Sequence, residues 1–370
     1  MKVFVAIDSF KGSATSQELN DAVCQTLAKM SVTSCNVPIA DGGEGTLAVL
    51  TDTFLGSKVE VNTIDLLGQP IKGSYWLTEI DGVKTAIIES AQILGLTQIT
   101  PSEETIQKAH SYGLGLVISA ALKDAEQVYV SLGGSGVNDG GLGLLAALSN
   151  QEIPPKNPLL LGKDFLATLS LPNLGNKKVI GLTDVNNFYT GSQGFTNVFG
   201  PQKGGTDEIL ARLEKGANLV WQNFKAKLDL NSFSGSGAAG GIGGGLLLAG
   251  GVLQPGFPTI AQMLQIDKKM SDCDFVITGE GNFDEQTAQG KVPLGVARLA
   301  RRYQLPVVAF CGARPDKILA IEYHFDGVFS IQSRPSSLQT AMLKKITLQN
   351  IALLTENVMK LYLAGKNRHM

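Results

Sequence analysis

Cysteine is scarce in this chain of 370 residues: Cys24, Cys35, Cys273 and Cys311 are the only four, with no C-x-x-C spacing. That excludes a disulfide framework and leaves reduced core residues. Histidine is scarcer still, and His110, His324 and His369 stand apart from every glycine-rich block described below, so neither a histidine-based triad nor a histidine-rich metal site has support. Charge is sparse too. Charged residues make up 17% of the chain against about 25% in an average soluble domain, and the formal net charge is -2. Beyond Arg298, Arg301 and Arg302, which read as the solvated face of a helix, there is no basic run, so nucleic acid is not an expected partner.

Long apolar runs are missing as well. The longest, residues 242–253, is broken by glycine and falls short of the roughly 20 residues a membrane helix needs. Lys2 is followed at once by an apolar run over residues 3–7 and then Asp8, too short for the apolar region of a signal peptide, so the expected compartment is the cytoplasm. Two catalytic signatures are absent. There is no G-x-S-x-G, and the phosphate-binding G-x-x-x-x-G-K-[ST] fails because Gly290-Lys291 is followed by Val292 and lacks the first glycine.

What the chain has in excess is glycine, 43 residues against a usual share of about 7%, gathered in blocks between apolar runs. Clustered glycine there means close approach of backbone to something. Residues 3–7, a run covered on both faces, lead into Asp8-Ser9-Phe10-Lys11-Gly12-Ser13; a helix follows, with Thr15 and Glu18 at capping-box spacing. Residues 36–40 read as a second strand, ahead of Asp41-Gly42-Gly43-Glu44-Gly45-Thr46 and another helix. The same order of strand, glycine with acid, and helix recurs at residues 128–148, around Gly133-Gly134-Ser135-Gly136-Val137-Asn138-Asp139-Gly140-Gly141. It returns at 178–187, through Asp184, and at 274–291, through Glu280, Asp284 and Lys291. Between about 58 and 80 the segments shorten and alternate, with turns at Gly68-Gln69-Pro70 and Asp81-Gly82, as antiparallel strands do.

Strands alternating with helices predict an α/β fold with mostly parallel sheets, and the length predicts two domains. In such sheets ligands bind beyond the carboxyl ends of the strands, where all of these blocks fall. A capped turn explains one block, but five such blocks with acid, glycine and lysine among them point to phosphoryl transfer: glycine amides and lysines for phosphate oxygens, carboxylates for Mg²⁺ and for the attacking hydroxyl. Gly235, Gly237 and Gly240 match the dinucleotide pattern G-x-G-x-x-G, which keeps an NAD(P)-dependent hydroxy-acid dehydrogenase as an alternative. A non-catalytic sensor of a small phosphorylated ligand is the other.

Taken in order, DSFKGS, ADGGEGT, GGSGVNDGG, VFGPQKGG, GSGAAGG and TGEGNFDEQTAQGK resemble the signature blocks of the class I glycerate kinase family over essentially the whole chain. Two places depart from the family's usual pattern: Gly136-Val137 stands for Ala-Thr, and Asn187-Phe188-Tyr189 for Asn-Pro-Leu. The resemblance implies ATP-dependent phosphorylation of D-glycerate to 2-phosphoglycerate or 3-phosphoglycerate, with Mg²⁺, in a two-lobed protein with its active site in the cleft. One lobe would be Rossmann-like and discontinuous, residues 1–75 and 275–370; the other an inserted α/β lobe, residues 76–274. Gly133, Gly134, Ser135, Gly136 and Asn138 would cradle phosphate, joined by Lys203 and Lys291. Asp184 is the first choice of base or orienting carboxylate, Asp139 the second, with Lys11 as a charge partner; Asp41, Glu44, Glu280 and Asp284 are the candidates for Mg²⁺. ATP and D-glycerate are the expected partners, with no membrane, and both a monomer and a homo-oligomer stay open.

Overall fold

A computed structural model describes every residue except 285, 286, 288–290, 316, 318 and 368–370, so part of the last glycine block and His369 lie outside the described residues. The chain divides into two compact units: Met1–Asp41 with Phe257–Met370, and Gly42–Gly256. The first unit is discontinuous, and the alternating strands of residues 56–80 belong to the second.

The first unit holds a five-stranded sheet in the order β11-β10-β9-β1-β2, from β1 (Lys2–Ile7), β2 (Thr33–Asn36), β9 (Phe275–Asn282), β10 (Val307–Ala313) and β11 (Gly327–Ser330). All its ladders are parallel. Val3, Val5, Ile7, Phe275, Ile277 and Phe310 pack with Leu19, Val23 and Leu27 of the helix Ser16–Lys29 and with Ile351 and Met359 of the helix Lys344–Asn367. The capping box forms as read: the Thr15 hydroxyl accepts from the Glu18 amide and the Glu18 carboxylate from the Thr15 amide.

The second strand lies at residues 33–36 and not at 36–40. Pro38 has no amide to donate, and past the last backbone bond, from Val37 N to Val5 O, side chains from the first helix take over. Asn20 accepts from Ile7 N and donates to Val5 O, while Ser16 Oγ donates to Ile7 O and accepts from Ile39 N. These bonds fix the carboxyl end of β1, the place from which Asp8 projects.

The second unit holds a six-stranded sheet in the order β3-β4-β5-β6-β7-β8. Its strands are β3 (Gly56–Ile64), β4 (Pro70–Ile80), β5 (Val83–Glu89), β6 (Gln127–Leu132), β7 (Lys178–Thr183) and β8 (Val252–Pro255). The first two ladders are antiparallel and the rest parallel. Period-two alternation identified β3 and β4 as strands, but which sheet edge they extend is a matter of long-range pairing. Among the described residues no helix is long and apolar enough to cross a membrane.

The helix Tyr112–Asp124 lies against β3 so closely that a Cβ on Gly113 would stand 1.9 Å from Ile64 O. Gly113→Ala is therefore expected to cost about 1–3 kcal/mol of stability through overpacking, read as a lower urea midpoint. An unchanged midpoint would mean that helix and strand part without cost.

Candidate functional site

In the first unit, β1 runs on to β2 on one side while β9, β10 and β11 build outward on the other, so the direction of strand order reverses between β1 and β9. That is where open parallel sheets bind ligands. The register Ile7↔Gly279, extended by a 2.9 Å bond from Asp8 N to Gly279 O, sets Asp8 and Glu280 at adjacent strand ends. A cavity of about 740 Å³ opens there. Its walls include Lys11, Asp41, Glu280, Asp284 and Lys291, so five residues chosen from sequence line one space. Gly281 and Gly312 also line it and pack closely against each other, since a Cβ on Gly312 would lie 2.7 Å from Gly281 O.

Negative charge is crowded in this cavity. Burial, then Asp41, holds the Asp8 carboxyl well above the usual carboxylate range, with Glu280 adding to the effect and the Ser9 amide and Lys11 opposing it. Burial pushes Glu280 up to about 7 despite the Thr287 hydroxyl, which donates to it, and Lys291, whose Nζ is 3.9 Å away. Such a set favours a cation. Among the described residues no three histidine, cysteine or carboxylate side chains form a group that could hold a metal ion without further ligands. Asp284 turns partly inward on its own loop, accepting from Asn282 Nδ2 at 2.6 Å. The same reading of acids at strand ends that selected Lys11's block also contains Asp8, which spacing alone did not single out.

Glu44 belongs to the second unit, apart from the other metal candidates, and is exposed. There the register brings the ends of β5, β6 and β7 side by side, Glu89 opposite Ser131 and Leu132 opposite Thr183. Glu89 carried no glycine signal in the sequence. Its carboxylate accepts from the amides of Gly45 and Leu47 and so anchors the turn ahead of the helix Thr46–Thr53. Gly133 meets that turn directly, since a Cβ on it would lie 2.7 Å from Gly43 Cα. Asp184 follows β7, half-buried, where the strand-end rule expects it.

The block 133–141 is only partly the open cradle its glycines suggest. The Gly136 amide donates to Leu94 O and Gly134 O accepts from Leu96 N, so Gly136 is committed to a bridge rather than to an anion. Ser135 and Asn138 are different. Both are buried, and the Ser135 hydroxyl and both polar atoms of the Asn138 amide have no partner among the described residues. Asp139 is fully buried and saturated: its carboxylate accepts from Ser111 N, Ser111 Oγ, Gly141 N and Gly143 N. Its carboxylate therefore ties the first turn of the helix Leu142–Leu148 to residue 111, with these donors already around it.

Lys203 is also a structural surprise. It is 2% exposed, and its ammonium donates to Val137 O at 2.5 Å instead of standing ready for phosphate. Gly240 makes room for this bond, because a Cβ there would lie 2.0 Å from Val137 O. Gly235 thus packs against β7, Gly237 against Phe188 and Gly240 against Val137, and a short 3₁₀ turn, Leu230–Ser232, precedes them where a dinucleotide fold needs a strand.

Burial lowers Lys203 to about 7, with Asp139 opposing. An unfolded lysine titrates near 10.4, so between about pH 7 and 10 the unfolded chain binds the extra proton and stability rises with pH across that window. Melting temperatures measured from pH 7 to about 9.5 should carry this slope, and Lys203→Met should flatten it. Equal slopes in both proteins would show that Lys203 stays charged in the fold.

Comparison with known proteins finds similarity along nearly the whole chain. The glycerate kinase family matches residues 3–363. A glycerate kinase of Haemophilus influenzae is 36% identical over 346 residues, covering 90% of this chain and 91% of that protein. The glycerate 2-kinase of Escherichia coli is 32% identical over 356 residues, covering 92% and 93%. A crystal structure assigned to glycerate kinase 2 of Salmonella typhimurium LT2 superposes with a TM-score of 0.80 at 31% identity, covering 99% of both chains. Matched by the family over residues 3–363 and by relatives over nine-tenths of its length, the chain belongs to the glycerate kinase family.

Proposed function

We propose that the protein is a glycerate kinase, transferring the terminal phosphoryl group of ATP to the 2-hydroxyl of D-glycerate with Mg²⁺. Its membership of the family over residues 3–363 carries the activity. The name of the Escherichia coli relative, glycerate 2-kinase, favours the 2-hydroxyl over the 3-hydroxyl.

In this reading the first unit receives the nucleotide. Lys11 and Lys291 meet phosphate oxygens, and Asp8, Asp41 and Glu280 are the residues that would hold the cation. Bound Mg²⁺ would neutralise charge developing on the phosphates. Lys291 is set for this part by its place directly ahead of the helix Val292–Arg302, whose first turn adds partial positive charge.

The second unit receives the acceptor. Asp184 orients or deprotonates the glycerate hydroxyl, and Ser135 with Asn138 offers buried hydrogen-bonding groups still lacking partners. Because the transition state of phosphoryl transfer is loose, positioning and charge neutralisation supply most of the rate and proton removal a smaller part. Asp139 and Lys203 act behind these groups, holding residues 137–141 in shape.

ADP release coupled to D-glycerate addition tests the activity, and ³¹P NMR of the product separates 2- from 3-phosphoglycerate. No ADP formed with Mg-ATP and D-glycerate would sink the reading. Asp184→Asn is expected to lower kcat by about 100-fold or more, while Lys11→Ala mainly raises the KM for ATP. Near-normal turnover in Asp184→Asn would take the base role from that residue.

A further inference from the structure

The cavity of the first unit has two unlike ends. Against the acids and lysines at the ends of β1 and β9 stand Phe10, Ile331, Leu338, Ala341 and Met342. Phe10 and Ile331 belong to the core at 4% and 3% exposure, but Leu338 is 75% exposed and Met342 37%. A single exposed leucine is ordinary; one that lines the wall of a charged cavity beside an exposed methionine has a ligand to explain it.

This apolar wall is braced. The turn Leu338–Ala341 is capped by Ser337, whose hydroxyl accepts from Thr340 N. Thr347, nearly fully buried, donates to Ala341 O and shares a 2.6 Å hydrogen bond with Ser13, at the end of the same loop that carries Lys11. Met342 reaches that loop too: its Cε lies 2.9 Å from where a Cβ on Gly12 would be, and φ at Gly12 is +74°. Charged wall and apolar wall are therefore tied to one loop.

We propose that Leu338 and Met342, backed by Ile331 and Phe10, form the subsite for the purine base of the nucleoside triphosphate, whose phosphates and cation take the charged end. This rests on the kinase reading for the identity of the donor. The charge pattern selects the occupant: crowded carboxylates beside lysines suit a cation-bound polyphosphate, and a flat aromatic base is the part of such a ligand that gains from leaving water. A volume of about 740 Å³ is in the range of pockets that enclose ligands of this size. Methionine suits the role because its polarisable thioether packs well on aromatic rings.

The test uses Leu338→Asp, which alters an exposed side chain and leaves the core untouched. Binding is followed with a fluorescent N-methylanthraniloyl ATP, displaced by adenosine or by magnesium tripolyphosphate, which has no base. The expected result is a rise of about tenfold or more in the KM for ATP and in the adenosine displacement constant. The KM for glycerate and displacement by tripolyphosphate should hold, and Leu338→Met should bind as the parent does. Unchanged adenosine displacement would overturn the subsite, as would equal weakening of tripolyphosphate, which would signal damage to the whole cavity. Failure of the parent protein to phosphorylate glycerate, with Leu338-dependent nucleotide binding intact, would count against the kinase reading and leave the subsite standing.

Discussion

The parallel ladder between β1 and β9 is the constraint on which the candidate nucleotide site depends, because it joins the start of the chain to a strand near its other end. Through Val3↔Phe275 to Ile7↔Gly279, the ladder delivers Asp8 and Glu280 to neighbouring strand ends, and Asn20 and Ser16 hold β1 there once β2 has stopped. Burial then does what it must to carboxylates that cannot reach water. Asp8 and Glu280 are both driven toward their neutral forms, and Asp41 sharpens the effect on each. In the proposed reading a cation with phosphate ligands is the partner of this set, with Lys11 lining the same cavity and Lys291 3.9 Å from Glu280.

The second unit solves a different problem with similar residues. Its glycine block has to leave β6, approach the turn at Gly43, and begin a helix at Leu142 within a few residues. Charged groups are spent on holding that path. Asp139 collects four donors and Lys203 clamps Val137 O, so the residue between them, Asn138, has its backbone fixed from both sides and also through Asn157, which donates to its carbonyl. What the path leaves unpaired is informative: among the described residues the Ser135 hydroxyl and the Asn138 amide are buried without partners, the state of groups that gain from a bound ligand or water.

By itself the sequence determined the α/β class, the capping box at Thr15, the antiparallel pair β3 and β4, and the placing of acids and glycines at strand ends, since each follows from local periodicity or from residue chemistry over a few positions. It also carried the family resemblance, because the blocks recur in order along the whole chain. Only the tertiary structure decided which residues share a space. Asp41 and Glu44 are three residues apart yet belong to different units, while Lys11 and Lys291 line one cavity, and spacing cannot report either fact. It also decided what surrounds the charged residues: Asp139 and Lys203 are buried, the first accepting four hydrogen bonds and the second donating to Val137 O, which residue type alone does not report. The physical reason is the same in both cases. A side chain's type is local, but its solvation and its partners come from strand pairing between distant parts of the chain.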